Sequence, residues 1–148
     1  MDLAYELHDL VLTLDRWAEA SLRPHGLSYN RYLALVIIAE HPGLTGRRLA
    51  EPLRVSEAAV SGIVRSLLAA GLVEDASSPG SGYVRRLRVS PAGSELLARC
   101  SGLLGSALDD SARAVGLDPR ELAKTIRALH DHVRSAGDDT ATQDPKRH

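Results

Sequence analysis

Arginines are the residues in this chain whose type and spacing could do chemistry. Arg47, Arg48, Arg54, Arg65, Arg85, Arg86 and Arg88 place seven of its 18 basic residues between positions 47 and 88. A guanidinium presents a planar fork of donors that suits phosphate oxygens and guanine edges better than a point charge does. The formal net charge is only −1. A polyanion would therefore have to be met by this local gathering rather than by charge spread over the whole surface. Taken alone, clustered arginines equally describe a solvated face, so the elements that carry them must decide.

The other reactive groups point elsewhere. The single cysteine, Cys100, excludes an intramolecular disulfide framework and a Cys-rich metal cluster, and its place among leucines reads as a small buried thiol. His130 and His132 are two apart and face different sides of a helix, while His8, His25 and His41 have no ligand-like spacing. No metal or cofactor is expected. No nucleophile–base set and no phosphate-binding glycine loop is visible, so an enzyme is not expected. No apolar run approaches the roughly 18 residues of a membrane span, and the N-terminus opens directly into an amphipathic pattern. A soluble, cytoplasmic protein with no membrane partner is the expectation.

Hydrophobic spacing lays out the elements. Leu3, Leu7, Leu10, Leu14 and Trp17 alternate steps of four and three, a helix with a narrow apolar seam that Pro24 and Gly26 end. Ser28 caps a second helix carrying Tyr32, Leu35, Val36, Ile38 and Ala39, stopped by His41-Pro42-Gly43. A short helix is predicted over roughly Gly46 to Leu53, then a tight turn at Arg54-Val55. Ser56 caps the next helix, whose Val60, Ile63, Val64, Leu67 and Leu68 keep helical spacing until Gly71 stops it. Leu72-Val73-Glu74 and Tyr83 to Val89 read as two strands tied by a loop over Ala76 to Gly82. Alternation puts Arg85, Leu87 and Val89 on one face and Val84, Arg86 and Arg88 on the other.

Ser90-Pro91 opens a long helix with Leu96, Leu97, Cys100, Leu103, Leu104, Ala107, Leu108 and Val115 on a broad face. Asp118-Pro119-Arg120-Glu121 supplies a cap, a first-position proline and a capping-box glutamate together. The last helix repeats the narrow seam with Leu122, Ile126, Leu129 and Val133. Residues 138–148 are polar and aperiodic, and a disordered tail is expected there.

Two short helices joined by a tight turn, followed by a basic two-stranded hairpin, are the layout of a winged helix-turn-helix. The fold class expected is therefore mainly α with a small β-hairpin wing. In that layout the second helix of the pair enters the major groove of double-stranded DNA with its N-terminal residues toward base edges. Here its outward residues by spacing are Glu57, Ala58, Ser61, Gly62 and Arg65. Ser56, Ser61 and Arg65 are the candidate base readers. Arg47, Arg48, Arg54, Arg85, Arg86 and Arg88 are the candidate phosphate contacts.

The run "LTGRRLAEPLRVSEAAVSGIVRSLLAAGLVED", closing with "LRVSPAG", resembles the multiple antibiotic resistance regulator (MarR) family, and the plan of two helices before and two after this core extends the likeness over nearly the whole chain. The resemblance implies one domain over residues 1–137, with a DNA-binding core at about 28–92 and dimerisation helices at 1–24 and 93–136. It implies a homodimeric transcriptional regulator, usually a repressor, acting on a palindromic operator. It also implies a pocket for a small aromatic or anionic effector near the first two helices, where Trp17, Tyr29, Arg31 and Tyr32 fall.

The chain departs from the family pattern at two places. Gly62 stands where many relatives carry a polar or basic side chain. The wing tip, Ser77-Ser78-Pro79-Gly80-Ser81-Gly82-Tyr83, lacks the acidic–basic pair that shapes and arms it. Readout through backbone and DNA shape is expected to exceed dense base contact. A second function stays open on the same grounds: a winged-helix protein-interaction module with weak or no specific DNA binding.

Overall fold

The computed structural model describes residues 1–80, 82 and 84–141. These divide into two compact units, Met1–Leu104 and the residues from Gly105 onward.

In the first unit, α1 (Leu3–Leu22) starts where the Asp2 carboxylate accepts the Ala4 N–H and ends in a 3-10 turn, Arg23–His25, closed by Gly26 at φ 71°. Ser28 accepts the Arg31 N–H and opens α2 (Tyr29–Glu40). Then come β1 (Leu44–Thr45), a 3-10 turn over Gly46–Leu49, α3 (Ala50–Leu53) and α4 (Glu57–Ala69). Strands β2 (Val73–Asp75) and β3 (Arg86–Val89) lead into α5 (Pro91–Ala114).

The spacing on each helix explains its packing. On α2, Ala34, Leu35 and Ile38 are fully buried, and on α4 Val60, Val64 and Leu67 turn the same way at steps of four and three. Leu22, Leu49, Leu87 and Cys100 complete a core shared by α1, α2, the turn before α3, α4, β3 and α5. Each large side chain withdrawn in this way contributes about 1.5–3 kcal/mol. That core fixes α4 from beneath and leaves Glu57, Ala58, Ser61, Gly62 and Arg65 in solvent. The outward set agrees with the expectation from spacing.

Three details differ from the sequence reading. The wing sheet has three antiparallel strands in the order β1-β3-β2, not two, with Leu44 opposite Leu87 and Thr45 opposite Arg86. The segment expected as one helix from Gly46 to Leu53 is a 3-10 turn followed by a single α-turn. The return strand begins at Arg86 rather than Tyr83, which is itself outside the described residues.

The base of the wing is clasped to α5. Ser90 Oγ donates to the Gly71 carbonyl and accepts the Gly93 N–H at 3.0 Å, capping α5, while the Ser90 N–H reaches the Leu72 carbonyl at 3.0 Å. Gly93 is obligatory here, because a Cβ would lie 2.1 Å from the Leu72 oxygen.

In the second unit α5 ends at Ala114, one residue before the exposed Val115 expected on its apolar face. Gly116 turns the chain at φ 80°. Asp118 Oδ1 accepts the N–H groups of Arg120 and Glu121 at 2.9 and 3.0 Å, the cap that starts α6 (Pro119–Ala141). The helix thus covers the first four residues of the expected 138–148 tail, and 142–148 lie outside the described residues. Leu122 is half-buried, whereas Ile126, Leu129 and Val133 are exposed. No helix among the described residues is long and apolar enough to cross a membrane.

Candidate nucleic-acid interface

The turn between α3 and α4 sets the site. Arg54 adopts φ 55° and ψ 43°, and is the one non-glycine residue with positive φ among the described residues. A side chain in that region costs about 1–3 kcal/mol and persists only where its surroundings impose it. Leu53 below the turn and Val60 beyond it are buried in the core. They fix both ends, and the Arg54 N–H donates to the Glu51 carbonyl at 3.0 Å. Ser56 follows with extended backbone and accepts the Ala59 N–H on Oγ at 3.1 Å.

Three arginines far apart in sequence converge on the exposed face of α4. Arg47, Arg65 and Arg85 line one groove of about 480 Å³ together with Gly46, Ser61 and Glu57. Arg65 is held along the helix, its Nε donating to the Ser61 carbonyl at 3.3 Å. Ser61 Oγ donates to the Glu57 carbonyl at 3.2 Å. Arg47 Nε stands 3.4 Å from Glu57 Oε1, with the two side chains 81% and 67% exposed. A pair so open to water holds its partners weakly.

The remaining candidate arginines, Arg48, Arg54, Arg86 and Arg88, are not in its lining. Arg48 lines an adjoining groove with Glu40, Glu51 and Glu57. Arg86 donates from Nη1 to the Gly43 carbonyl at 3.4 Å. Arg88 faces Glu74 across the strand pair, Nη2 to Oε2 at 3.8 Å. Both side chains are exposed, as alternation predicts. Arg85 departs from alternation: it precedes β3, lies in solvent rather than on the core face with Leu87, and joins the groove.

Two acidic residues carry roles that the sequence reading missed. Asp75 shapes the wing. Its Oδ1 accepts the Ser77 N–H at 2.9 Å and the Arg86 N–H at 3.4 Å, tying the two sides of the loop. Hydrogen bonds from Ser77, from its hydroxyl first and then its N–H, hold the Asp75 carboxyl below the ordinary aspartate range, and the Arg86 N–H and Arg85 charge add to this. The wing is therefore shaped by an acid at its base, although the tip lacks the expected pair. A signal existed: Asp two residues before Ser is an Asx-turn pattern. Glu57 is the other missed residue, the carboxylate within the arginine groove.

The candidate effector residues are partly brought together. Tyr29 and Tyr32 stack with ring centroids 6.5 Å apart. Burial, then the Asp15 carboxylate, raises the Tyr29 phenol above its ordinary value, and burial, then Cys100 and Tyr29, does the same for Tyr32. Both remain protonated donors at neutral pH. Arg31 Nη1 donates to the Gly26 carbonyl at 3.3 Å, and Trp17 is half-buried on α1. Cys100 is fully buried, and that burial raises its thiol above the ordinary range.

Residues 25–82 match the model of the MarR family. No curated protein matches the chain. Among solved structures, the chain is similar to a MarR family protein of Mycobacterium tuberculosis in complex with salicylic acid, at 25% identity over 88% of this chain and 96% of that one, with a TM-score of 0.67. Wild-type MarR of E. coli, without ligand, is 22% identical over 90% of this chain and 97% of that one, TM-score 0.70. A MarR family transcriptional regulator of Listeria monocytogenes complexed with a 26mer DNA is 16% identical over 100% and 99% of the two chains, TM-score 0.77. The last two likenesses bear on the fold alone.

Proposed function

We propose that this chain, whose residues 25–82 match the MarR family model, is a MarR-family transcription regulator and a cytoplasmic, homodimeric repressor that binds a palindromic operator in double-stranded DNA. The observation that carries this reading is the convergence of Arg47, Arg65 and Arg85 on the solvent face of α4. Three guanidiniums beside a helix that can enter the major groove are suited to phosphates on either side of it. Arg48, Arg54, Arg86 and Arg88 would add phosphate contacts outside that groove. Ser61 in the groove and Ser56 at the start of α4 would face the bases. The structure of the Listeria relative with DNA supports the same use of the fold.

Dimerisation is supported by the apolar seams. Leu3 and Leu10 on α1, and Ile126, Leu129 and Val133 on α6, are exposed in the single chain. A two-fold pairing would set the two reading helices about one DNA turn apart. A small aromatic or anionic effector, received near Trp17, Tyr29, Arg31 and Tyr32, would favour a dimer with the reading helices wrongly spaced. The salicylic acid bound by the Mycobacterium relative supports that ligand chemistry.

The test is a gel shift at fixed salt with Arg65→Ala and, separately, Arg86→Ala, each expected to weaken DNA binding. Unchanged affinity in both would sink the assignment of these residues. The outer face of α4 is thin at Ala58, Ala59 and Gly62, and this favours the second reading, an interaction module. Salt titration with random duplex separates the two: a steep fall of affinity with salt supports phosphate contact, and a flat line supports the module.

A further inference from the structure

Glu57 is a carboxylate where phosphate-binding arginines gather, and a polyanion should disfavour it. It is the first residue of α4 and lines both the groove of Arg47, Arg65 and Arg85 and the adjoining groove of Arg48. It therefore stands on the ridge that would enter the DNA first. Resting on the DNA-binding reading above, we propose that Glu57 is a specificity-determining residue that reads the exposed amino group of cytosine in the major groove.

The chemistry selects the base. An ionised carboxylate only accepts hydrogen bonds. In the major groove, guanine presents two acceptors, and thymine an acceptor and a methyl group. Adenine sets an acceptor beside its amino group, whereas cytosine presents the amino donor alone. Cytosine alone offers Glu57 a donor with no acceptor beside it on the same base. Any other base leaves a charge facing acceptors within a field of phosphates.

The neighbouring groups leave this task to Glu57. Ser56 Oγ accepts the Ala59 N–H and Ser61 Oγ donates to the Glu57 carbonyl, so the lone pairs left to them are those of neutral hydroxyls, weaker acceptors than a carboxylate. Ala58 and Gly62 bring no polar side chain. In the free protein Glu57 is held off by Arg47 at 3.4 Å, in a pair that water screens. A phosphate can take Arg47 from it, and that exchange frees the carboxylate for the base edge. The ion pair of the free protein thus becomes two separate contacts, one positioning and one specifying.

The experiment selects duplexes from a random-sequence pool with the full-length wild type, E57Q and E57A, and measures binding of the enriched duplexes by fluorescence anisotropy. The wild type should enrich a C·G pair at one position in each half-site. E57Q should shift that position toward A·T, because a carboxamide pairs with the adjacent donor and acceptor of adenine. E57A should relax it and cost on the order of tenfold in discrimination there, as one base contact is lost. The salt slope should be the same in all three proteins, since no phosphate contact changes. Identical base preferences in the three proteins overturn the assignment of Glu57. So does a uniform gain in affinity for every duplex, which makes Glu57 only a charge brake. Failure of the wild type to bind any duplex at low salt overturns the DNA reading and this assignment with it.

Discussion

The winged-helix core within residues 1–104 and the helix α6 handle apolar side chains in opposite ways. In the first, Leu22, Leu35, Ile38, Leu49 and Leu87 are all 0% exposed, drawn from four elements that share a core with α4. In the second, Ile126, Leu129 and Val133 keep helical spacing, yet they are 48%, 39% and 60% exposed. Spacing alone cannot distinguish them. A helix that folds against its own chain and one that awaits a partner have the same period. The reading head is finished by its own chain, and the apolar face of α6 is not.

The largest effect should come from breaking the finished side. Leu67→Ala is expected to lower unfolding free energy by about 2–5 kcal/mol, read from chemical denaturation. A cost below about 1 kcal/mol would mean that the core under α4 is looser than its burial shows. Arg54→Gly sharpens the point in the other direction. It should raise stability by about 1 kcal/mol, since glycine tolerates the left-handed turn, while weakening DNA binding in anisotropy through loss of the guanidinium. Strain at this turn is tolerable only because the head's core holds both of its ends.

Val133→Ser tests the unfinished side. In dilute protein it should change stability by less than about 0.5 kcal/mol, yet sedimentation velocity should show weaker self-association. An unchanged sedimentation profile would remove the α6 seam from the interface. The smallest effect concerns the wing. The Asp75 carboxyl is held below its ordinary range, so its hydrogen bonds to Ser77 and Arg86 favour the folded wing when it is ionised. That contribution is complete above the ordinary aspartate range and is lost as pH falls through the depressed value. Amide protection at Ser77 and Arg86, taken relative to the intrinsic exchange rate at each pH, should therefore fall under acid in the wild type, and should already be reduced at neutral pH in Asp75→Ala.

Features fixed by short-range rules were legible in the sequence. The caps at Ser28, Ser56, Ser90 and Asp118, the stop at Gly71 and the outward face of α4 all follow from residues within one or two turns of each other. Strand β1 was not legible. Leu44 and Thr45 alone have no strand pattern, and they are extended because Leu87 and Arg86, more than 40 positions away, supply the partners. The start of β3 was misread because alternation carries no information on where pairing begins. At the candidate interface, spacing found Arg47, Arg65 and Arg85 but not that they share a groove. It also missed Glu57, because a carboxylate among arginines takes its role from where the side-chain ends meet, whereas the Asx-turn signal of Asp75 and Ser77 lies within short range.

The close seating of Gly93 on the Leu72 carbonyl has a mechanical consequence. The first turn of α5 is held against the chain that leaves α4 by the fit of Gly93 on the Leu72 carbonyl and by the two Ser90 hydrogen bonds to Gly71 and Leu72. The joint is a weld rather than a hinge. The N-terminal turn of α5, the end of α4 and the base of the wing are therefore joined at one point, and a side chain added at Gly93 would have to part all three.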